Sequence, residues 1–129
     1  MKVPILKLGH ILLTSIQEDL TDQDAVDFQN NVLTTVMHTD ASGIVIDITA
    51  LDVVDSFMAR VINETANMVG LLGSEIVVCG MQPSVALTLI EMGRELLGVQ
   101  TALNLELGLE KIKVLIEKRK TSWTKNQSR

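Results

Sequence analysis

Two short runs limit what this chain can become. Gly43-Ile44-Val45-Ile46-Asp47-Ile48 and Ile76-Val77-Val78-Cys79-Gly80 are rich in β-branched residues and almost free of alternation. A strand with one wet face alternates apolar and polar positions, whereas an unbroken apolar strand has to be covered on both faces. Both runs therefore belong in the interior of a sheet with helices on either side, and the first should lie central.

The flanking segments supply those helices. Thr21 is a candidate N-cap with acids in the first turn after it, and Ala25, Phe28, Val32 and Val36 follow at helical spacing, so a helix should run to about His38. Ala59, Ile62, Ala66 and Val69 mark a second helix, closed by Gly70 or Gly73. Pro83 opens a third through Val85 and Leu89 to Met92, ending near Gly93. Val99–Ala102 reads as a short strand, and Leu105–Lys118 as a closing helix capped by Asn104. Ahead of all this, Pro4–Leu8 and Ile11–Ser15 flank the turn-compatible pair Gly9-His10 and read as a β-hairpin. The expected fold is α/β: one domain over residues 1–117, a hairpin followed by alternating strands and helices. A mixed sheet of about five strands should carry about four helices. Residues 118–129 are expected to be a polar, basic tail that includes Trp123.

With 129 residues, 47% of them hydrophobic, there is room for one packed core and no second domain. Aromatics make up 2%: Phe28, Phe57 and Trp123 carry the rings and there is no Tyr. That argues against a stacking platform for single-stranded nucleic acid. The net charge of -5 conceals an asymmetry, because Lys118, Arg119, Lys120, Lys125 and Arg129 crowd the end. Ahead of them, six basic residues face sixteen acidic ones. Such a body repels phosphate backbones and favours a basic protein partner, so no nucleic-acid partner is expected. No run nears the ~18 apolar residues of a membrane span, and the start lacks a signal-peptide stretch, so a cytoplasmic protein without a membrane partner is expected. The lone Cys79 fits a small buried hydrophobe in a reducing compartment.

Conventional chemistry is hard to place. His10 and His38 have no metal-ligand spacing around them, and Glu18, Asp19, Asp22, Asp24 and Asp27 span a loop and more than one helical face, as a solvated acidic surface does. The glycines at 70, 73, 93 and 98 form neither a dinucleotide fingerprint nor a Walker-type loop. Met37, Met58, Met68, Met81 and Met92 are scattered as gap-fillers of a core or a subunit interface. No cofactor, no metal and no catalytic residue are expected, and a ligand-binding enzyme is a remote alternative.

One segment stands apart. Asp52-Val53-Val54-Asp55-Ser56-Phe57-Met58-Ala59-Arg60 leads from the central strand into the second helix and reads with Ser56 as the N-cap. Free helix N–H groups and the positive end of the helix dipole at that point can also accommodate a phosphate. A phosphoserine there would set about two negative charges beside Asp52 and Asp55, on a patch with apolar Val53, Val54, Phe57 and Met58.

Residues Ile46 to Phe57 resemble the phosphorylation loop of STAS domains, the family of anti-sigma-factor antagonists. Pro4-Ile5-Leu6-Lys7-Leu8, Asp22-Gln23, Gly80 to Glu91 and Thr101 to Glu106 extend the likeness, specifically to the stressosome antagonists in that family, over roughly residues 2–117. The resemblance implies a STAS fold without enzymatic activity and a phosphoacceptor at Ser56. It also implies Thr88 as a secondary acceptor, and a docking patch of Asp52, Val53, Asp55, Phe57 and Met58 shaped around the loop. The implied partners are an RsbT-like serine kinase, sequestered until Ser56 is phosphorylated, RsbR-like STAS paralogues, an RsbX-like phosphatase and further copies of the chain itself. A conventional antagonist that binds an anti-sigma kinase directly, without a large particle, is the alternative.

Overall fold

The computed structural model describes residues 3–17, 20–91 and 99–127, with backbone alone from 122 onward. Five strands and four helices follow one another: β1 (Ile5–Leu8), β2 (Ile11–Ser15), α1 (Asp22–Thr39), β3 (Gly43–Asp47), α2 (Ser56–Leu71), β4 (Glu75–Cys79), α3 (Pro83–Glu91), β5 (Gln100–Ala102) and α4 (Leu105–Gln127). The sheet keeps chain order, β1-β2-β3-β4-β5, so β3 is its middle strand. The β1–β2 hairpin is antiparallel and every later pairing is parallel. The expected mixed α/β sheet is thus present.

Chain order dictates where the helices go. Each parallel strand is added on the same side of the previous one, and right-handed crossovers then bring α1, α2 and α3 to one face. Ile44, Ile46 and Ile48 point into that layer with Phe28 and Val32 of α1, Ala59 and Ile62 of α2, and Val85 and Leu89 of α3. Val45, Val77 and Cys79 point the other way, against Ile112 of α4. The apolar run of β3 is therefore split between two cores, which is why it does not alternate. At its first residue the helix comes so near that a Cβ on Gly43 would lie 2.8 Å from Ile112 Cγ1.

The ends of the elements follow local chemistry. Thr21 and Asp24 form a reciprocal capping box at α1, which ends on Asp40 in the left-handed region at φ 51°. Asn104 Oδ1 accepts from Leu107 N at 2.9 Å, as a cap of α4 should. Past Lys118 the helix continues to Gln127, where a polar tail was expected. The Arg119 guanidinium lies 3.6 Å from Glu75 at the start of β4 and ties part of this extension to the sheet. Met92, Gly93 and Gly98 lie outside the described residues, as do Glu18 and Asp19.

Candidate functional site

The segment between β3 and α2 is held from behind. Asp47 Oδ1, at the end of β3, accepts from both the backbone N–H (3.0 Å) and the hydroxyl (2.5 Å) of Thr49 and turns the chain out of the sheet. Leu51 N donates back to Ile48 O and tightens that turn. Two side chains at the start of α3 then grip the segment: Gln82 Nε2 donates to Thr49 O at 2.7 Å, and Ser84 Oγ to Asp52 O at 3.0 Å. Leu51 and Val54 are buried beneath it.

Gly80 makes this arrangement possible. It sits at φ 77°, where L side chains are strained, and a Cβ there would fall 1.9 Å from Thr49 Oγ1 and 2.9 Å from Asp47 Oδ1. A glycine after one strand therefore fixes the course of the loop that leaves its neighbour.

At the start of α2 the structure corrects the expected cap. Asp55, not Ser56, is the N-cap: its backbone is extended (φ -84°, ψ 176°) and its Oδ1 accepts from Met58 N at 2.8 Å. Ser56 is the first residue of the helix proper. Its side chain is exposed, and no hydrogen bond to its hydroxyl occurs among the described residues. Since the capping duty falls to Asp55, the Ser56 oxygen is left unengaged at a helix start whose first N–H groups have no intrahelical acceptor.

The docking patch divides in two. Asp52, Val53 and Asp55 are exposed, Val53 by 71%, and Phe57 is partly exposed. Val54 and Met58, expected on the same surface, are 3% and 8% exposed and belong to the main core. Met58 lies on the side of the first turn of α2 that faces the sheet, and Val54 is turned inward from the loop just ahead of the cap. Met58 still reaches daylight at the bottom of a cleft of about 200 Å³ that it lines with Leu20, Leu51, Val53 and Asp55. One turn further on, Arg60 lies over the ring of Phe57, 5.4 Å from its centroid.

Thr88 lies within α3, and its hydroxyl donates to Ser84 O at 2.9 Å. Cys79 is fully buried against α4, and its thiol is pushed up to about 11 by burial and by the nearby Asp47 carboxylate. His10 and His38 are exposed. Among the described residues no group of three His, Cys, Asp or Glu is placed to hold a metal, and no helix is long and apolar enough to cross a membrane. Of the methionines, Met37 is 68% exposed and takes no part in the core. The residues that sequence reasoning missed are Gly80, Gln82 and Ser84. They lie in the stretch that carries the family likeness, but nothing in the order of residues ties them to a loop some thirty positions earlier.

A mixed sheet sandwiched between helices, with an exposed serine at the start of the helix after the central strand, defines a class. The chain belongs to the STAS domain family, whose profile matches residues 2–106. Within it the chain is similar to RsbS. A serine-to-glutamate variant of RsbS from Moorella thermoacetica is 44% identical, over 91% of this chain and 99% of that one, with a TM-score of 0.82. A chain from a structure of the stressosome, described as a signal integration and transduction hub, is 46% identical over 87% and 97% of the two chains, with a TM-score of 0.78. The RsbT co-antagonist protein RsbRA of Bacillus subtilis is 31% identical over 80 residues, which are 62% of this chain and 29% of that protein. The match therefore spans under a third of that curated relative's length.

Proposed function

We propose that this chain is a stressosome scaffold and antagonist that holds an RsbT-like switch serine kinase and releases it when Ser56 is phosphorylated. The observation that carries the reading is the Ser56 hydroxyl, exposed and unengaged at the helix start that follows a loop pinned from behind, in a chain 44–46% identical to RsbS and to a stressosome component. The role is one of binding and not of catalysis: the chemistry belongs to the kinase. In that step the Ser56 oxygen attacks the γ-phosphorus of ATP, the new O–P bond forms as the bond to ADP breaks, and the hydroxyl proton leaves to the kinase's base.

The consequence for this chain is electrostatic. A group of about -1.5 to -2 charges arrives beside the exposed Asp52 and Asp55 carboxylates and the apolar Val53 and Phe57. A partner that covers this patch then meets like-charge repulsion and the cost of desolvating a dianion. A coupling of about 1–3 kcal/mol changes affinity by roughly 5- to 150-fold, enough for a switch. Because the loop is anchored through Gln82, Ser84 and Gly80, the fold need not move for the surface to change.

The same reading places the chain in the cytoplasm, in a particle built with RsbR-like paralogues and further copies of itself, where an RsbX-like phosphatase resets Ser56. Thr88 ranks second as an acceptor, since its hydroxyl is already engaged. Kinase affinity tests the reading: Ser56→Ala should bind the kinase as the unmodified protein does, and Ser56→Asp should bind at least ~5-fold more weakly. Equal affinity for all three folded proteins would refute it. Light scattering of the chain co-expressed with an RsbR-like paralogue should give a megadalton-scale particle; small complexes would instead favour a conventional anti-sigma-factor antagonist.

A further inference from the structure

We infer that Arg60 is the internal counter-ion of a phosphorylated Ser56, and that it reaches the phosphate by leaving the ring of Phe57. The inference rests on the reading of Ser56 as the acceptor and names what the phosphate binds once it is there.

Ser56 is the first residue of α2 and Arg60 lies four positions on. Residues so spaced on a helix are neighbours on one face, with Cβ atoms roughly 5–6 Å apart. Arg60 is exposed, and its guanidinium is parked 5.4 Å from the centroid of Phe57, the residue next to Ser56. No other basic residue occurs in α2. The remaining Lys and Arg side chains among the described residues sit on edge strand β1 (Lys7) or on α4, across the sheet from α2, and His10 and His38 lie beside the start of β3, at the opposite end of that strand from Ser56. Arg60 is therefore the cation of the described structure that can reach the phosphate from the same face.

The chemistry favours the exchange of partners. An exposed cation–π contact is weak, whereas a guanidinium presents a planar fork that matches two phosphate oxygens, in charge-assisted hydrogen bonds of about twice the ordinary strength. Of the first-turn N–H groups, Met58 N is already taken by Asp55 Oδ1, so the dipole end of the helix is partly neutralised before the phosphate arrives. With Asp52 and Asp55 close by, the added dianion needs a cation. Phosphorylation then changes the docking face twice, by adding the phosphate and by uncovering Phe57.

The test installs phosphoserine at position 56 during synthesis by amber suppression, so that no kinase is needed. ³¹P NMR then follows the second ionisation of the phosphate in the otherwise natural protein, in Arg60→Gln and in Arg60→Lys. The natural protein should titrate about half a pH unit below the glutamine variant, with the lysine variant, which keeps the charge without the fork, in between. The ring resonances of Phe57 should move on phosphorylation in the natural protein and stay put in Arg60→Gln. A glutamine variant that titrates as the natural protein does, with circular dichroism showing both folded, overturns the inference. A kinase that ignores Ser56 would refute the functional reading and leave this result untouched.

Discussion

Ser56 and Thr88 are both hydroxyl residues at the rim where the family likeness concentrates, yet their surroundings differ in kind. Ser56 opens a helix, its hydroxyl unengaged because Asp55 takes the cap. Thr88 sits inside α3 and its hydroxyl is bonded to Ser84 O, whose own side chain is bonded to Asp52 O. A phosphate at the first position meets free N–H groups and the favourable end of the dipole; at the second it meets a satisfied helical backbone. The contrast shows that whether a hydroxyl stays unengaged depends on what the neighbouring residue takes over.

The largest effect is expected in phosphate incorporation. With the cognate kinase and ATP, intact-mass spectrometry should show about one phosphate per chain, falling to about none in Ser56→Ala and unchanged in Thr88→Val. Phosphate retained in the alanine variant and lost in the valine variant would reverse the ranking of the two hydroxyls. Next comes Gly80→Ala, which forces a Cβ into Thr49 Oγ1 at a left-handed backbone. It should cost about 3 kcal/mol in chemical denaturation and slow phosphorylation of Ser56, since the loop can no longer lie where it does. Unaltered stability would mean that the loop is not anchored from β4 at all.

Asp55→Ala removes the cap and should lower stability by about 1 kcal/mol, read from urea midpoints. Its Ser56 hydroxyl is then the nearest substitute cap, so phosphorylation should slow although the serine itself is intact. The smallest change is expected for Gln82→Ala, which deletes one bond to Thr49 O at a cost of about 0.5–1 kcal/mol and loosens the loop without freeing it. Amide hydrogen exchange at residues 50–55 should report that loosening, with α3 unaffected past Thr88.

Much of this was legible before any coordinates. The unbroken apolar runs announce buried strands and the 3.6-residue spacing announces the helices between them, so a mixed sheet carrying helices could be written down; the strand order could not, since right-handed crossovers fix the face each helix takes and not the order of the strands. The cap was not legible, because Asp and Ser are about equally good at that position and stand side by side at 55 and 56. What decides between them is the course of the loop, and that is set by Gly80, Gln82 and Ser84 across the sheet. The burial of Val54 was hidden because a loop has no periodicity from which to read its inner side, whereas Met58, four positions before Ile62, stands on the apolar stripe of α2 and was placed on the surface only through its nearness to Ser56. The extension of α4 was missed because its last turns are polar, so no apolar stripe marked them as helix.

Cys79 carries a last consequence. A thiol wedged between the sheet and α4, with no exposed surface and an ionisation near 11, yields almost no thiolate at neutral pH and offers none to a peroxide or a passing disulfide. Oxidative chemistry has nowhere to begin on this chain's single sulfhydryl. If an assembly containing it answers to redox conditions through a thiol, that thiol has to belong to some other subunit.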